Sequence, residues 1–519
     1  MVDSLAKTVL HRYPKAICHL NYTLRQSKKL GFILGAGVSC DLKIPTWKEL
    51  LAEIEQRVSY DGQSSPGPES YRGEQLFQYF RKNKSLELQW AEKRIAEAGV
   101  NSDWRKIVSS ILYKEYMNSD QVDVAKFAQA INTHPYLRDI ARIAKDLELV
   151  VTHNFDNALE FAVDTEPTNT RPENRKYNSF WKPDPFLRQD MLNVYHPNGC
   201  SPVAGIKGSE SIILTEANFA DYLADTNNAE SNFLLSHMSN KTWLLIGHSL
   251  ADGTLKNVLR LHANRRPGHV NYFVHWVKGG DDELTAKQRD AIQEANFSTY
   301  NLFTFFLNSS EIAALLQIIN MSVDDLHEAM SAEDIQSRYT YYICGAVSSG
   351  KSTVLSHLRS TATLEEWPDK MPSAMTKPST EVDSSTKADI DVKLEEAIWR
   401  KNEEIGKIKV GLVTVDRAPL DFIAFPDNET ETSADTARNR HGKVLRRLQR
   451  DQFRGNYHVD IVLTSYSLGC DSRLWEDRNE SSTPQDSRGA KIRRENRCVG
   501  LGKGAEASLS DGEAGLWPW

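Results

Sequence analysis

A short apolar strand that runs into a glycine loop and out again into a helix occurs twice in this chain of 519 residues. The first copy is LGFILGAGVSCDLKIPTWKELLAEIEQRV, Leu30 to Val58, and the second is RYTYYICGAVSSGKSTVLSHLR, Arg338 to Arg359. In the first, Thr46 can cap the helix with Glu49 three residues on, and Pro45 fixes the entry. Trp47, Leu50, Leu51, Ile54 and Val58 then recur at helical spacing and would face a core. Further strand signals at Leu147 to Thr152, Ser211 to Leu214, Thr242 to Gly247 and Tyr272 to Val277 alternate with polar or helical stretches. That is the pattern of a parallel sheet covered by helices, an α/β fold of Rossmann-like type.

The length exceeds what one hydrophobic core supports, so two or three domains are expected. The first spans 1–321 and carries a helical insertion at about 59–146, with amphipathic segments at Glu74 to Phe80, Leu86 to Ala98 and Trp104 to Met117. A helical linker at 322–337 leads to a second α/β domain at 338–470, with strands at Tyr341 to Cys344, Val410 to Val415 and Val459 to Leu463. Met371 to Asp389, rich in Ser, Thr, Pro and Lys, reads as a loop or mobile segment. After Cys470 apolar periodicity is lost, and 471–519 reads as a disordered tail, either natural or the product of an altered reading frame.

Composition narrows the partners. Apolar runs such as Trp243 to Ile246 are too short to cross a bilayer, and the N-terminus MVDSLAKTVLHRYPK has no secretory signal, so a cytoplasmic protein is expected. The 63 basic and 70 acidic residues give a net charge of −7. Such a balance offers no footprint for nucleic acid. The six cysteines show no pair at two- to four-residue spacing, against a disulfide framework and against a structural zinc site.

Four short segments carry candidate chemistry. Gly35-Ala36-Gly37 follows a strand, with Ser39 beyond, and reads either as a plain tight turn or as a loop that lets backbone N–H groups approach a pyrophosphate. Thr152-His153-Asn154-Phe155-Asp156 ends a strand where ligands bind open α/β sheets, or forms an Asx turn. The third is Val194-Tyr195-His196-Pro197-Asn198-Gly199. The fourth is LLIGHSLADGTLKNVL, with Gly247, Ser249 and Asp252.

Together and in this order, the four segments resemble the sirtuin-like domains of bacterial NAD-consuming defence proteins, over about Leu30 to Phe306. The stretches IPTWKELL and ILTEANFADYL share the likeness. The resemblance implies that Gly35, Ala36, Gly37 and Ser39 hold cofactor phosphates and that Thr152, Gly247, Ser249 and Asp252 complete the NAD⁺ site. It also implies catalytic roles for Asn154, Asp156 and a histidine. The position before Gly199, where sirtuins hold the base, is Asn198 here, so the base is assigned to His196. No cysteine set can build the zinc module of deacetylating sirtuins, which favours NAD⁺ hydrolysis without zinc. Cleaving the nicotinamide–ribose bond creates an oxocarbenium-like ribose. The site must hold the riboses and deliver one water.

In the second copy, Gly345 to Thr353 fits G-x-x-x-x-G-K-[ST] without a mismatch, a P-loop in its proper strand-to-helix context. Gly345, Gly350, Lys351, Ser352 and Thr353 would hold ATP or another nucleotide, with Ser352 on Mg²⁺. A degenerate loop that binds nucleotide without turnover, or binds none at all, is the alternative. Asp416-Arg417, at the end of a strand, resembles the D/E-R segment of deoxynucleoside and thymidylate kinases. Arg446, Arg447 and Arg450 read either as a lid over phosphates or as a solvated helix face.

The resulting expectation is an NAD⁺ nucleosidase that acts as a homo-oligomeric effector in anti-phage defence and is regulated by its P-loop domain, the phage trigger being unspecified. One alternative is a nucleoside or nucleotide kinase with a non-catalytic NAD- or ADP-ribose-binding domain. Another is a pure NAD⁺ or ADP-ribose sensor.

Overall fold

The computed structural model describes residues 3–53, 104–164, 176–203, 212–213, 229–278, 284–345, 355, 358, 362–365, 383–416 and 458–463, apart from 27, 47–48, 51, 120, 185 and 251. The chain divides into a large compact body, Met1–Cys344 with Gly350–Val462, and a small one, Gly345–Ser349 with Leu463–Trp519. The elements below belong to the large body, apart from Gly345 and Leu463 at two strand ends.

β1 (Leu30–Leu34) is buried at all five positions, as an uninterrupted apolar run requires when helices cover both faces of a sheet. The chain then passes through the helix Trp104–Leu112, an antiparallel hairpin of β2 (Met117–Asn118) and β3 (Gln121–Val122), and the helices Val124–Thr133 and Leu137–Ala144. It re-enters the main sheet as β4 (Leu149–Thr152), β5 (Tyr177–Phe180), β6 (Leu192–Tyr195), β7 (Thr242–Ile246), β8 (Asn271–Trp276) and β9 (Leu302–Leu307). The seven strands lie in the order β5-β6-β4-β1-β7-β8-β9, and every neighbouring pair is parallel.

From β1 the chain steps outward through β4 and β6, with β5 beyond, then crosses to β7 on the other side of β1 and continues through β8 and β9. That reversal is the doubly wound, Rossmann-like arrangement, and it makes the carboxyl ends of β1 and β7 a topological switch point. Trp243, Leu245, Ile33, Val151 and Tyr195 pack with Val258 and Leu259 of the helix Gly253–Arg265 in one buried cluster. Two covering helices start on reciprocal caps. Asn308 and Glu311 bond each other's backbone at Ser309–Ile319, and Thr285 and Gln288 do so at Ala286–Tyr300, which satisfies N–H groups a helix start leaves open.

A second sheet holds β10 (Arg338–Gly345), β11 (Ala362–Leu364), β12 (Gly411–Asp416) and β13 (His458–Leu463), in the order β11-β12-β10-β13. β12 runs parallel to both β10 and β11. The N-terminal helix Pro14–Arg25 touches both sheets. On one side Asn21 Nδ2 donates to the Ile319 and Met321 carbonyls at 2.9 and 2.8 Å, and His19 Nδ1 meets the Tyr272 hydroxyl. On the other, Lys15 Nζ lies over the Tyr339 and Tyr341 rings. The Tyr22 ring there stands 2.9 Å from where a Cβ on Gly411 would be, at a φ of +137°. Only glycine fits that start of β12.

Three local expectations differ from the structure. Ile212 and Ile213 form no strand; the Ile213 N–H donates instead to the Asn198 carbonyl. The helix from Trp104 ends at Leu112, and Tyr113 and Tyr116 turn inward to bond the Ser201 and Leu42 carbonyls. The loop expected through Asp389 gives way at Ser384 to a helix that runs to Lys407. Of the expected core residues after Thr46, Leu50 is fully buried, while Trp47, Leu51, Ile54 and Val58 lie outside the described residues. So do the segments Glu74 to Phe80 and Leu86 to Ala98. No described helix is long and apolar enough to cross a membrane.

Candidate functional site at the switch point

The glycines after β1 are needed because two backbones meet there. A Cβ on Gly35 would lie 2.6 Å from the Gly247 carbonyl oxygen, and one on Gly37 would lie 2.8 Å from the Gly247 Cα. Gly247 itself has a φ of +72°, and a Cβ there would meet the Val38 nitrogen at 2.5 Å. The loop also satisfies most of its own donors. Gly35 and Gly37 donate to the carbonyls of Ile246 and Gly247, Val38 to Gly35, and Ser39 to Ala36. The N–H of Ala36, an exposed residue, has no partner among the described residues.

Behind this loop lies a buried polar chain. Ser39 Oγ donates to Asp156 Oδ2 at 2.7 Å and accepts from Asn154 Nδ2 at 3.0 Å. Asp156 Oδ1 accepts from the Ala158 N–H at 3.0 Å. Burial raises the Asp156 carboxyl above its ordinary pKa, and the bonds from Ser39 and Ala158 pull it back in part. With its Nδ2 committed to Ser39, the Asn154 amide has a fixed orientation. Its Oδ1 is buried and has no partner among the described residues, and a buried acceptor left unbonded costs about 1–3 kcal/mol. Thr152 supports the turn by accepting from the Asn154 N–H at 3.3 Å.

His196 follows β6 and has no exposed surface. Its Nε2 lies 2.7 Å from Glu160 Oε1, and its Nδ1 lies 3.3 Å from the Asn154 carbonyl oxygen. Burial alone would lower its pKa, but the Glu160 carboxylate outweighs that and raises it. Both ring nitrogens are thus engaged inside the protein. Ser179 on β5 donates to the same Glu160 oxygen at 2.9 Å. Asn198 sits two residues on, in a turn closed by the Gly199 N–H on the His196 carbonyl, and its Nδ2 donates to the His153 carbonyl at 3.3 Å.

Two histidines that motif reading passes over meet at the same edge. His153 follows β4 and His248 follows β7, and their rings stand edge to face with Nδ1 of the first 3.1 Å from Nε2 of the second. Each occupies an unspecified position in its motif, T-x-N and G-x-S. The signal available in sequence was that both spacers at strand ends are histidine.

Ser249 is exposed. Asp252 caps the helix Gly253–Arg265 by accepting from the Leu255 N–H at 2.8 Å. The structure therefore gathers Gly35, Ala36, Gly37, Ser39, Thr152, Asn154, Asp156, His196 and Gly247 at neighbouring strand ends. Gly345 is the last residue of β10, and Asp416, buried, is the last of β12. Gly350, Lys351, Ser352, Thr353 and Arg417 lie outside the described residues. Among the described residues no group of three His, Cys, Asp or Glu side chains could hold a metal ion.

A parallel, doubly wound sheet with a polar cluster at its switch point defines a ligand-binding α/β fold of Rossmann-like type. Comparison refines the class: residues 148–304 match the family model described as SIR2-like domain. The match starts one residue before β4 and ends within β9, so it contains Asn154, Asp156, His196 and Gly247 but not the Gly35 loop. Among solved structures the chain is similar to Sir2 with a deacetylated p53 peptide and 3′-O-acetyl ADP ribose. That likeness has 12% identity and a TM-score of 0.22, and it covers 57% of this chain and 95% of that one. No curated protein sequence matches the chain.

Proposed function

We propose that the switch-point cluster cleaves NAD⁺ into ADP-ribose and nicotinamide, so that the chain is an NAD⁺ nucleosidase. The observation that carries this reading is the buried, oriented and unpartnered Oδ1 of Asn154. A fixed amide acceptor at a strand end is what a ribose hydroxyl or an attacking water needs, because the gain comes from holding the reactant in one geometry. Ser39 and Asp156 set that orientation, and His196 with Glu160 holds the Asn154 backbone from behind. The free Ala36 N–H is left for the pyrophosphate, while Thr152, Gly247, Ser249 and Asp252 frame the rest of the dinucleotide. The C1′–N bond breaks with its electron pair on nicotinamide, water adds to C1′, and one proton is released.

The second sheet supports a regulatory reading. β10, which leads into the P-loop sequence, has β12 on one side and β13 on the other, and the end of such a central strand is where nucleotides bind. Gly345, Gly350, Lys351, Ser352 and Thr353 would hold ATP or another nucleotide, Ser352 would ligate Mg²⁺, and Asp416 with Arg417 would face the acceptor side. A homo-oligomeric cytoplasmic effector of anti-phage defence, with 1–321 as the hydrolase, 322–337 as linker, 338–470 as sensor and 471–519 as tail, completes the proposal. The defence role rests on the sequence resemblance alone.

The test is nicotinamide release by the full chain and by Lys351→Ala across nucleoside mono-, di- and triphosphates. Cleavage by wild type that changes with one nucleotide, and no such change in Lys351→Ala, is the expected result. Absence of release under every nucleotide would refute the hydrolase. Equal nucleotide-independent rates in a wild type that binds nucleotide would refute the coupling, since an effector acts only through unequal affinity for two states.

A further inference from the structure

The proposed reaction releases a proton, and neither residue expected at the base position can take it. His196 is fully buried with both nitrogens engaged, and Asn198 is an amide, which has no basic nitrogen. Asp156 is committed to Ser39 and Ala158. Resting on the NAD⁺ reading, we infer that His153 is the catalytic base of this site and that His248 is its positioning residue.

The pairing leaves one outer nitrogen with a free lone pair. In a pair of neutral imidazoles one N–H is donated across the N···N contact. The donor ring then keeps a free lone pair on its outer nitrogen, and the acceptor ring keeps an N–H. The Leu34 carbonyl lies within hydrogen-bonding reach of the His248 ring and favours a proton there. With that proton on its other nitrogen, His248 accepts through Nε2 and His153 Nδ1 donates across the 3.1 Å contact. His153 Nε2 is left as the lone pair, on a residue that is partly exposed and adjacent in sequence to Asn154. The proton leaves the attacking water for His153 Nε2 as the water oxygen bonds C1′, and then passes to solvent.

The surroundings keep the pair neutral at neutral pH. Burial is the main cause for both rings, followed for His153 by the charge of His196 at the end of β6 and for His248 by His153 itself. Asp252 at the helix cap beyond β7 acts on His248 in the opposite direction. At the end of β1 the pair meets the Leu34 carbonyl and Gly35, where a Cβ would stand 2.8 Å from the His248 ring. A base that is unprotonated at pH 7 is ready to accept, although a low pKa limits how strongly it does so.

The test measures nicotinamide release and NAD⁺ affinity for the full chain, His153→Gln and His248→Gln between pH 4 and 8. His153→Gln should lose about 100-fold in kcat with NAD⁺ affinity within threefold, and should lose the acid limb of the wild-type pH profile. His248→Gln should keep more activity and move that limb toward higher pH, because His153 would lose its partner and become more exposed. A His153→Gln rate within threefold of wild type overturns the assignment while the NAD⁺ reading stands. Wild type that binds NAD⁺ but shows no acid limb overturns it without any variant. If wild type releases no nicotinamide, the reading itself fails, and the base assignment with it.

Discussion

Two pairs of ionisable side chains meet near the carboxyl ends of β4, β6 and β7, and they are built for opposite ends. The His196–Glu160 pair is sealed off, 0% and 1% exposed, and the ring nitrogen faces the carboxylate at 2.7 Å. The His153–His248 pair is partly exposed and uncharged at neutral pH. The difference is the partner. A carboxylate at 2.7 Å raises the His196 pKa despite burial, whereas a second imidazole at 3.1 Å gives His153 no such support. A fully paired buried charge holds the chain in place, while an unprotonated ring with a free nitrogen can do chemistry.

The sealed pair should be the more costly to break. Glu160→Ala leaves an imidazole without its counter-charge and should destabilise the fold by about 3–5 kcal/mol, read by urea denaturation. Replacing both Glu160 and His196 by leucine should recover part of that loss. A Glu160→Ala variant within about 1 kcal/mol of wild type would show that the pair is not a structural clamp.

The two pairs should also respond to pH with opposite sign. His153 and His248 are lowered to about 4 and about 3, so between those values and the ordinary 6.5 the unfolded chain binds more protons than the folded one. Stability contributed by their neutral forms is therefore present above pH 6.5 and is lost as pH falls toward 4. His196, raised by Glu160, contributes stability that is full below pH 6.5 and is lost as pH rises through its folded value. Thermal melts of a His153→Gln/His248→Gln double variant should fall less steeply from pH 6.5 to 4 than those of wild type. An unchanged slope would mean the pair is protonated in the folded state or is absent from the linkage.

The smallest effect belongs to Asn198. Its amide makes a single 3.3 Å bond to the His153 carbonyl, and Asn198→Ala should cost about 1 kcal/mol or less with nicotinamide release within a few-fold of wild type. A large loss of release on this substitution would return Asn198 to the centre of the site.

Much of this frame is legible in the sequence because β1, β4, β7 and β8 are apolar runs bounded by polar turns, and a strand buried on both faces must look that way. β5, YNSF, could not be read so, since an edge strand with three half-buried positions carries no apolar run. The helix Ser384–Lys407 was obscured by the Ser, Thr and Lys of its first turns, which favour a loop in composition but not in place. The N-terminal helices Ser4–Arg12 and Pro14–Arg25 are not legible in sequence because their buried faces are defined by partners from distant parts of the chain. At the site, the glycines and Asn154 stood out by motif. The environment that separates His196 from His153 did not, because burial and pairing with Glu160 or His248 depend on which strand ends become neighbours.

The central claim is that a fixed Asn154 amide at the switch point cleaves NAD⁺. Single-turnover nicotinamide release by wild type and Asn154→Ala, each saturated with NAD⁺, tests it most directly. The account predicts release by wild type and a loss of about 100-fold or more in Asn154→Ala, with circular dichroism and melting unchanged in kind. Equal release by the two proteins, or none by wild type, would contradict it.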